Sequence, residues 1–519
     1  MSGGPTVTFT TADLGALLDR SFRQHASRVA VEDGDRSETF AQLANRSDRL
    51  ASALLELNPG RRPVAILASN RIEYIEADIA LLKAGHPKVP INPRLSQSER
   101  LHVVRDSGAS ILITESTSAD SALSLVDEAE ALDTVVSIGG GGTHDYEEVL
   151  GAANRPPDRA WRPDDPSAIL YTSGTTGHPK GATATFRSRM AATWNMLLDE
   201  LIDVTPADAM LHAGPLSHGS GSKVIAYALG GARNIVVPSF DPGRFLDEAL
   251  RRRATASFVV PTMITMLIEE AEARKRPTLN LRHVSYGGSP IAPNTIRRAI
   301  DVFGPVFVQV YGTAEAPHPL TVLSRSEHVD ASDQRLASAG RPTRSVELRL
   351  VPTGALDSRV GEIQVRAESV TVGYWEDEES TREAYVDGFY RTGDIGYLDD
   401  EGYLTIIDRQ KDMVISGGLN VYPAEVEAAI ANHAGVLESA VIGVPDERWG
   451  ERVVAYVVER PGHTVRPEEV TAEVANRLAG YKKPRDVWIV KELAKGSTGK
   501  ILKSALRSRH WDQQSRQVN

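Results

Sequence analysis

The stretch Ala168-Ile169-Leu170-Tyr171-Thr172-Ser173-Gly174-Thr175-Thr176-Gly177-His178-Pro179-Lys180-Gly181 decides how this chain is read. Residues 168–170 have the apolar character of a buried strand, and glycines, hydroxyls and a lysine follow directly. Glycine admits positive φ and close backbone approach, so successive N–H groups can point at an oxyanion while the hydroxyls and the ammonium add donors. The run reads as a phosphate loop with Thr172, Ser173, Gly174, Thr175, Thr176, Gly177 and Lys180 as its candidate contacts. Its spacing is not that of Walker A, which needs a Lys-Ser/Thr pair after four intervening residues. A flexible linker is the competing reading, but linkers seldom end in Pro-Lys-Gly or begin directly behind a buried strand.

Outward from this loop, strands and helices alternate. Residues 63–68 form an apolar strand, 73–84 a helix and 88–91 the next strand, which is a βαβ unit. Ser96-Gln97-Ser98-Glu99 has capping-box spacing and predicts a helix leading to a strand at 111–114. Downstream the alternation returns, with strands at 234–237, 257–260 and 283–286 and helices at 245–253, 262–270 and 295–303. Such repetition predicts an α/β fold of parallel sheets covered by helices. From Ser345 onward strands at 346–351 and 362–365 lack long intervening helices, which marks a smaller β-rich region over about 340–408. After Asp408 comes an α+β pattern, with helices at 424–431 and 467–479 and strands at 439–443, 452–458 and 487–490. The expected division is 1–408 for a large N-terminal domain and 409–519 for a mobile C-terminal one.

Composition narrows the function classes. A chain of 519 residues exceeds the size at which one core keeps growing, so at least two domains are expected. With 41% hydrophobic and 24% charged residues it reads as a soluble globular protein, and no apolar run approaches the ~20 residues of a membrane-spanning helix. Residues 1–10 lack a basic leader and an apolar signal core, and there is no cysteine, so a cytoplasmic protein without disulfides or thiolate metal sites is expected. A formal net charge of −11 argues against a broad nucleic-acid surface, although it permits a local basic groove for phosphates.

The phosphate loop resembles the signature of the adenylate-forming superfamily, which comprises acyl-CoA synthetases, adenylation domains of peptide synthetases and firefly luciferase. Further segments follow in that family's order: Pro215-Leu216-Ser217-His218-Gly219, Gly287-Gly288-Ser289-Pro290, Tyr311-Gly312-Thr313-Ala314-Glu315, Arg391-Thr392-Gly393-Asp394, Asp408-Arg409-Gln410-Lys411-Asp412, Ser416-Gly417-Gly418 and Ser497-Thr498-Gly499-Lys500-Ile501. The resemblance implies ATP, Mg²⁺ and coenzyme A as cofactors, and a small carboxylic acid as substrate. It makes Glu315, with Thr172, the metal ligands, in keeping with the hard oxygen donors that Mg²⁺ prefers. Asp394 would accept from the ribose hydroxyls, a natural task for an acceptor-only carboxylate. Gly288, Ser289, Pro290, Tyr311, Gly312, Thr313, Ala314 and Arg409 would complete the nucleotide site.

The same resemblance gives Lys500 the role of stabilising charge as the carboxylate attacks the α-phosphate. Lys411 becomes the hinge, and Gly417 and Gly418 leave room for a pantetheine arm, against the alternative of a simple hairpin turn. His218 would gate an acyl pocket whose walls include Val260, Gly287 and Tyr311. Two positions depart from the family pattern: Ala314 replaces the usual Thr or Ser near the α-phosphate, and Ala494 stands where proline is common. The lost hydroxyl removes a charge-assisted bond of about 1.5 to 3 kcal/mol, which weakens the chemistry without abolishing it. Residues 215–221 contain no acid to meet an α-ammonium, which disfavours an amino-acid substrate. Loading of a separate acyl carrier protein remains an alternative to coenzyme A, as does a degenerate nucleotide-binding relative.

Overall fold

The fold is taken from a computed structural model, which describes residues 13–152, 161–172, 179–201, 203–353, 359–416, 419–446, 448–496 and 501–510. Two mostly parallel sheets organise the larger part of the chain. The seven-stranded sheet runs in the order His144–Asp145, Thr134–Ile138, Ile111–Glu115, Val64–Leu67, Lys88–Ile91, Pro166–Thr172 and Lys180–Thr185. Its neighbours pair in parallel except for the last pair, which is antiparallel with Thr172 opposite Lys180. The strands before and after residues 173–178 are thus antiparallel partners. Gly181 admits this pairing, because a Cβ there would lie 2.6 Å from Ile169 Cγ2.

The nine-stranded sheet runs Arg341–Pro342, Thr321–Leu323, Phe307–Tyr311, His283–Gly287, Ala256–Val259, Ala209–His212, Arg233–Val236, Val29–Asp33 and Arg36–Thr39. The six strands from Phe307–Tyr311 to Val29–Asp33 are parallel, so their carboxyl ends share one edge. All 13 residues of the helix Ile72–Ala84 are buried, including Glu73, Glu76, Asp78 and Lys83. These four charges survive in an interior because each is paired: Glu73 with Arg71 at 2.9 Å, Glu76 with Arg46, Asp78 with Lys88 at 2.7 Å and Arg189 at 3.0 Å, and Lys83 with Asp19 and Asp48 at 2.9 and 2.7 Å. The capping box is present, with the Ser96 side chain accepting Glu99 N–H and Glu99 accepting Ser96 N–H at 2.7 Å.

The β-rich region is an antiparallel sheet of Glu347–Pro352, Gly361–Arg366, Phe389–Leu398, Tyr385–Val386 and Leu404–Arg409. Beyond it, Val414–Ser416, Leu419–Val421, Val436–Asp446, Gly450–Glu459 and Asp486–Val490 form a further sheet, against which the helices Pro423–Ile430 and Pro467–Ala475 pack. The second of these helices is shorter than the pattern at 467–479 predicts. After Ala475 the chain turns, and a single 3₁₀ turn, Gly480–Lys482, precedes the last strand.

Candidate active site

Parallel sheets expose unpaired backbone and loop residues at the carboxyl ends of their strands, where ligands bind. Four segments singled out from the sequence leave the nine-stranded sheet on that edge. The 215–221 segment follows Ala209–His212, Val260 follows Ala256–Val259, Gly288-Ser289-Pro290 follow His283–Gly287, and Gly312 to Glu315 follow Phe307–Tyr311. These strands are consecutive neighbours, so segments more than 90 residues apart in sequence line one rim. A Cβ on Gly287 would approach Val310 O to 2.3 Å, and one on Gly312 would approach His318 N to 2.4 Å, so both glycines serve close backbone packing.

Thr172 arrives from the other sheet. Its hydroxyl donates to Glu315 Oε1 at 3.4 Å, and Tyr374 OH donates to the same oxygen at 3.2 Å. Glu315 is 9% exposed, and its main-chain oxygen accepts from Thr371 N at 2.8 Å and Thr371 Oγ1 at 2.9 Å. The turn before it is held internally, with Thr313 N–H donating to Ala316 O at 2.8 Å and Ala316 N–H to Thr313 Oγ1 at 3.0 Å. Thr172 and Glu315 together offer a carboxylate and a hydroxyl, a donor set that fits Mg²⁺.

A second cluster joins Tyr311, Asp394 and Arg409. Tyr311 OH donates to Asp394 Oδ2 at 2.6 Å, and Arg409 Nε lies 3.3 Å from Asp394 Oδ1. Asp394 and Arg409 face each other on paired antiparallel strands. Burial, reinforced by the Asp394 carboxylate, holds the Tyr311 phenol well above its ordinary pKa, so it remains a donor. Burial opposes the charge on Arg409, yet Asp394 and Asp412 outweigh it and keep the guanidinium ionised.

Several contacts escape motif reading. Lys180 Nζ donates to Ser380 Oγ, lies 3.8 Å from Asp377 and stands 5.6 Å from the centroid of the Tyr374 ring. Tyr171 OH donates to Asp106 at 2.6 Å, and His102 Nε2 meets Pro179 O at 2.8 Å, so both flanks of the phosphate loop rest on the helix Gln97–Ser107. No local pattern marks Asp106, His102 or Ser380, because each works only through a partner distant in sequence.

His218 is exposed, with Nδ1 2.8 Å from Ser217 Oγ. Residues 173–177, Gly417, Gly418 and Lys500 lie outside the described residues, as does the side chain of Lys411, whose backbone sits in the 3₁₀ turn Gln410–Asp412. Ser416 pairs with Leu419 in the antiparallel strands on either side of them.

The AMP-binding enzyme model matches residues 18–375, and the AMP-binding enzyme C-terminal domain model matches residues 425–500. Feruloyl-CoA synthase of an Amycolatopsis species is 37% identical over 96% of this chain and 99% of its own length. The medium/long-chain-fatty-acid–CoA ligase FadD8 of Mycobacterium tuberculosis is 32% identical over 97% of this chain and 91% of its own. Among solved structures, the amide bond synthetase McbA from Marinactinospora thermotolerans superposes with a TM-score of 0.86 at 29% identity, over 96% of this chain and 99% of that one. The α/β architecture, the ordered motifs and these full-length similarities lead to one conclusion: the chain belongs to the AMP-binding enzyme family and is an ATP-dependent, AMP-forming acid–thiol ligase of its acyl-CoA synthetase branch, using ATP, Mg²⁺ and coenzyme A.

Proposed function

We propose that the two half-reactions share the cleft between the Thr172 and Glu315 strand ends, and that the acid is a hydrophobic monocarboxylate of the arylpropenoic or medium-chain fatty class. In the first, a carboxylate oxygen attacks the α-phosphorus of ATP and pyrophosphate departs. In the second, the sulfur of coenzyme A attacks the acyl carbon, and AMP leaves with the C–O electron pair. The 3.4 Å contact between Thr172 and Glu315 carries this reading, because it joins the phosphate loop to the nucleotide rim. Bound there, Mg²⁺ would neutralise phosphate charge.

In this reading Asp394 receives the ribose hydroxyls, with Tyr311 and Arg409 orienting its carboxylate, while the loop 173–177 and Lys180 take the phosphates. Lys500 stabilises charge developing at the α-phosphate. Residues 1–408 form the stationary unit, and 409–519 turn about Lys411 to exchange Lys500 for Gly417 and Gly418. His218 borders the acid, with Val260, Gly287 and Tyr311 behind it. The absence of acidic residues over 215–221 and the names of the similar ligases support an uncharged acyl tail. No helix among the described residues is long and apolar enough to cross a membrane, in keeping with a cytoplasmic enzyme.

A panel of ferulate, octanoate, palmitate and phenylalanine, assayed for pyrophosphate release with and without coenzyme A and for thioester by mass spectrometry, tests this. The expected result is acyl-CoA from ferulate or octanoate. Release without thioester, followed by acyl transfer to an added carrier protein, would replace coenzyme A by that protein. Turnover of phenylalanine alone would overturn the substrate class.

A further inference from the structure

The segment 213–222 carries His218 and three glycines, and its turns are closed by its own bonds: His218 N–H donates to Pro215 O at 3.1 Å, Gly221 N–H to His218 O at 2.9 Å and Ser222 Oγ to Gly219 O at 2.7 Å. A Cβ on Gly221 would fall 1.9 Å from Leu216 O, so the segment doubles back on itself tightly enough to require glycine there. Its place against the two sheets is set by further partners, among them His318, whose Nε2 lies 3.1 Å from Ser222 Oγ. Asn70, buried and placed between the strand Val64–Leu67 and the helix Ile72–Ala84, reaches across from the other sheet. Its Oδ1 accepts Leu216 N–H at 2.8 Å, while its Nδ2 donates toward Gly214 O at 2.8 Å, Val237 O at 3.0 Å and His212 O at 3.3 Å. Three carbonyls around the nitrogen and one N–H at the oxygen fix the amide orientation, since a flip would set like against like.

His212 holds the far end. Its Nε2 lies 2.8 Å from Asn234 Oδ1 and its Nδ1 3.0 Å from Ser220 Oγ, with the ring fully buried. Burial lowers its pKa to about 4, so the ring is neutral. With Nε2–H donating to the Asn234 oxygen, Nδ1 accepts the Ser220 hydroxyl proton. The segment is therefore gripped at Gly214 and Leu216 from one sheet, and at Ser220 from the other.

We propose that Asn70 and His212 are positioning residues for acid recognition: they hold segment 213–222 in one conformation across the junction of the two sheets, so that the shape offered to the acid is set by groups that never touch it. This rests on the reading that the segment borders the acid. The effect is selective because none of the bonds just named for Asn70 and His212 involves Thr172, Glu315 or Asp394. Loosening the segment disperses His218 and the Gly219 backbone, whereas Thr172, Glu315 and Asp394 keep their own partners.

The test compares Asn70→Asp, which retains the acceptor but loses the donor, with His212→Leu, His212→Gln, Ser220→Ala and His218→Ala in the full-length enzyme. KM for ATP, KM for acid and kcat are measured with whichever of ferulate and octanoate supports faster pyrophosphate release, together with the preference between the two and the Tm. The expected result is a rise of about tenfold in KM for acid and a narrowed ferulate-to-octanoate preference in Asn70→Asp and His212→Leu, with KM for ATP within about twofold. Ser220→Ala, which removes one hydroxyl from an otherwise intact fold, should shift the same way more weakly. His212→Gln, able to donate and accept, should recover most of the loss. If His218→Ala shifts acid KM and the other variants do not, the positioning role is overturned and the acid-site reading stands. If none shifts it, both fall. Equal losses for ATP and acid, or no recovery by His212→Gln, would reduce these residues to general stability and overturn the proposal.

Discussion

Tyr311 donates to Asp394 at 2.6 Å, a bond that links the end of a parallel strand of the nine-stranded sheet to the antiparallel β-rich sheet. Arg409 approaches the other carboxylate oxygen at 3.3 Å, so Asp394 is oriented before any ligand arrives. Tyr311→Phe removes a hydrogen bond to a charged group, worth about 1.5 to 3 kcal/mol. KM for ATP in pyrophosphate release should rise about tenfold or more, and the Tm should fall by a few degrees. An unchanged KM would show that Asp394 needs no such orientation.

Glu315→Gln keeps the size of the side chain and replaces a carboxylate by a poorer ligand for a hard dication. Adenylation by this variant should demand a higher Mg²⁺ concentration. Coincident magnesium titrations for variant and parent would remove Glu315 from the metal site.

Lys500→Ala should abolish adenylation from free acid while leaving thioester formation from preformed acyl-AMP largely intact, since its charge matters only while phosphate charge develops. Lys411→Pro, which fixes φ and removes an N–H, should do the opposite: acyl-AMP accumulates and thioester formation slows. Normal thioester formation by the folded proline variant would leave Lys411 without its hinge role.

Lys223 and Glu200 form an ion pair with both side chains fully buried, and Ser285 Oγ donates to the same glutamate at 2.5 Å. Removing one partner leaves an uncompensated charge, so Glu200→Leu should lower stability by about 3 to 5 kcal/mol. The double variant Glu200→Leu with Lys223→Met should recover much of that loss in chemical denaturation. A double variant as unstable as the single one would contradict this.

Glu38 predicts a pH dependence of stability. Burial, then the neighbouring Glu76 carboxylate, raises its pKa from 4.5 to about 8, against the opposing pull of Arg46. The folded state therefore holds a proton that the unfolded chain has already released above 4.5. Its stabilising contribution is complete below 4.5 and is lost as pH rises to about 8 and beyond. The parent Tm should fall between pH 5 and 9, as a rough working window, and Glu38→Gln should flatten that fall. Parallel Tm curves for the two proteins would exclude Glu38 as the source.

Much of the fold was legible from local pattern. The strand Lys88–Ile91 matches its apolar run residue for residue, and Ser96 and Glu99 make both bonds of the capping box, because such features depend on residues three or four apart. The same holds for the parallel character of the sheets, which follows from alternating strands and helices. The hairpin formed by Pro166–Thr172 and Lys180–Thr185 was harder to read, since the small residues of the second strand carry little hydrophobic signal.

By itself, then, the sequence determined the local elements and the types of group available for phosphate and metal. Only the tertiary structure decided which of them meet. Thr172 reaches Glu315 across 143 residues of chain, Lys180 reaches Ser380 across 200, and Asn70 reaches Leu216 across 146. A local pattern carries no information about such partners, because each bond forms only after two sheets have packed, and it is the register of their strand ends that brings donor and acceptor within about 3 Å.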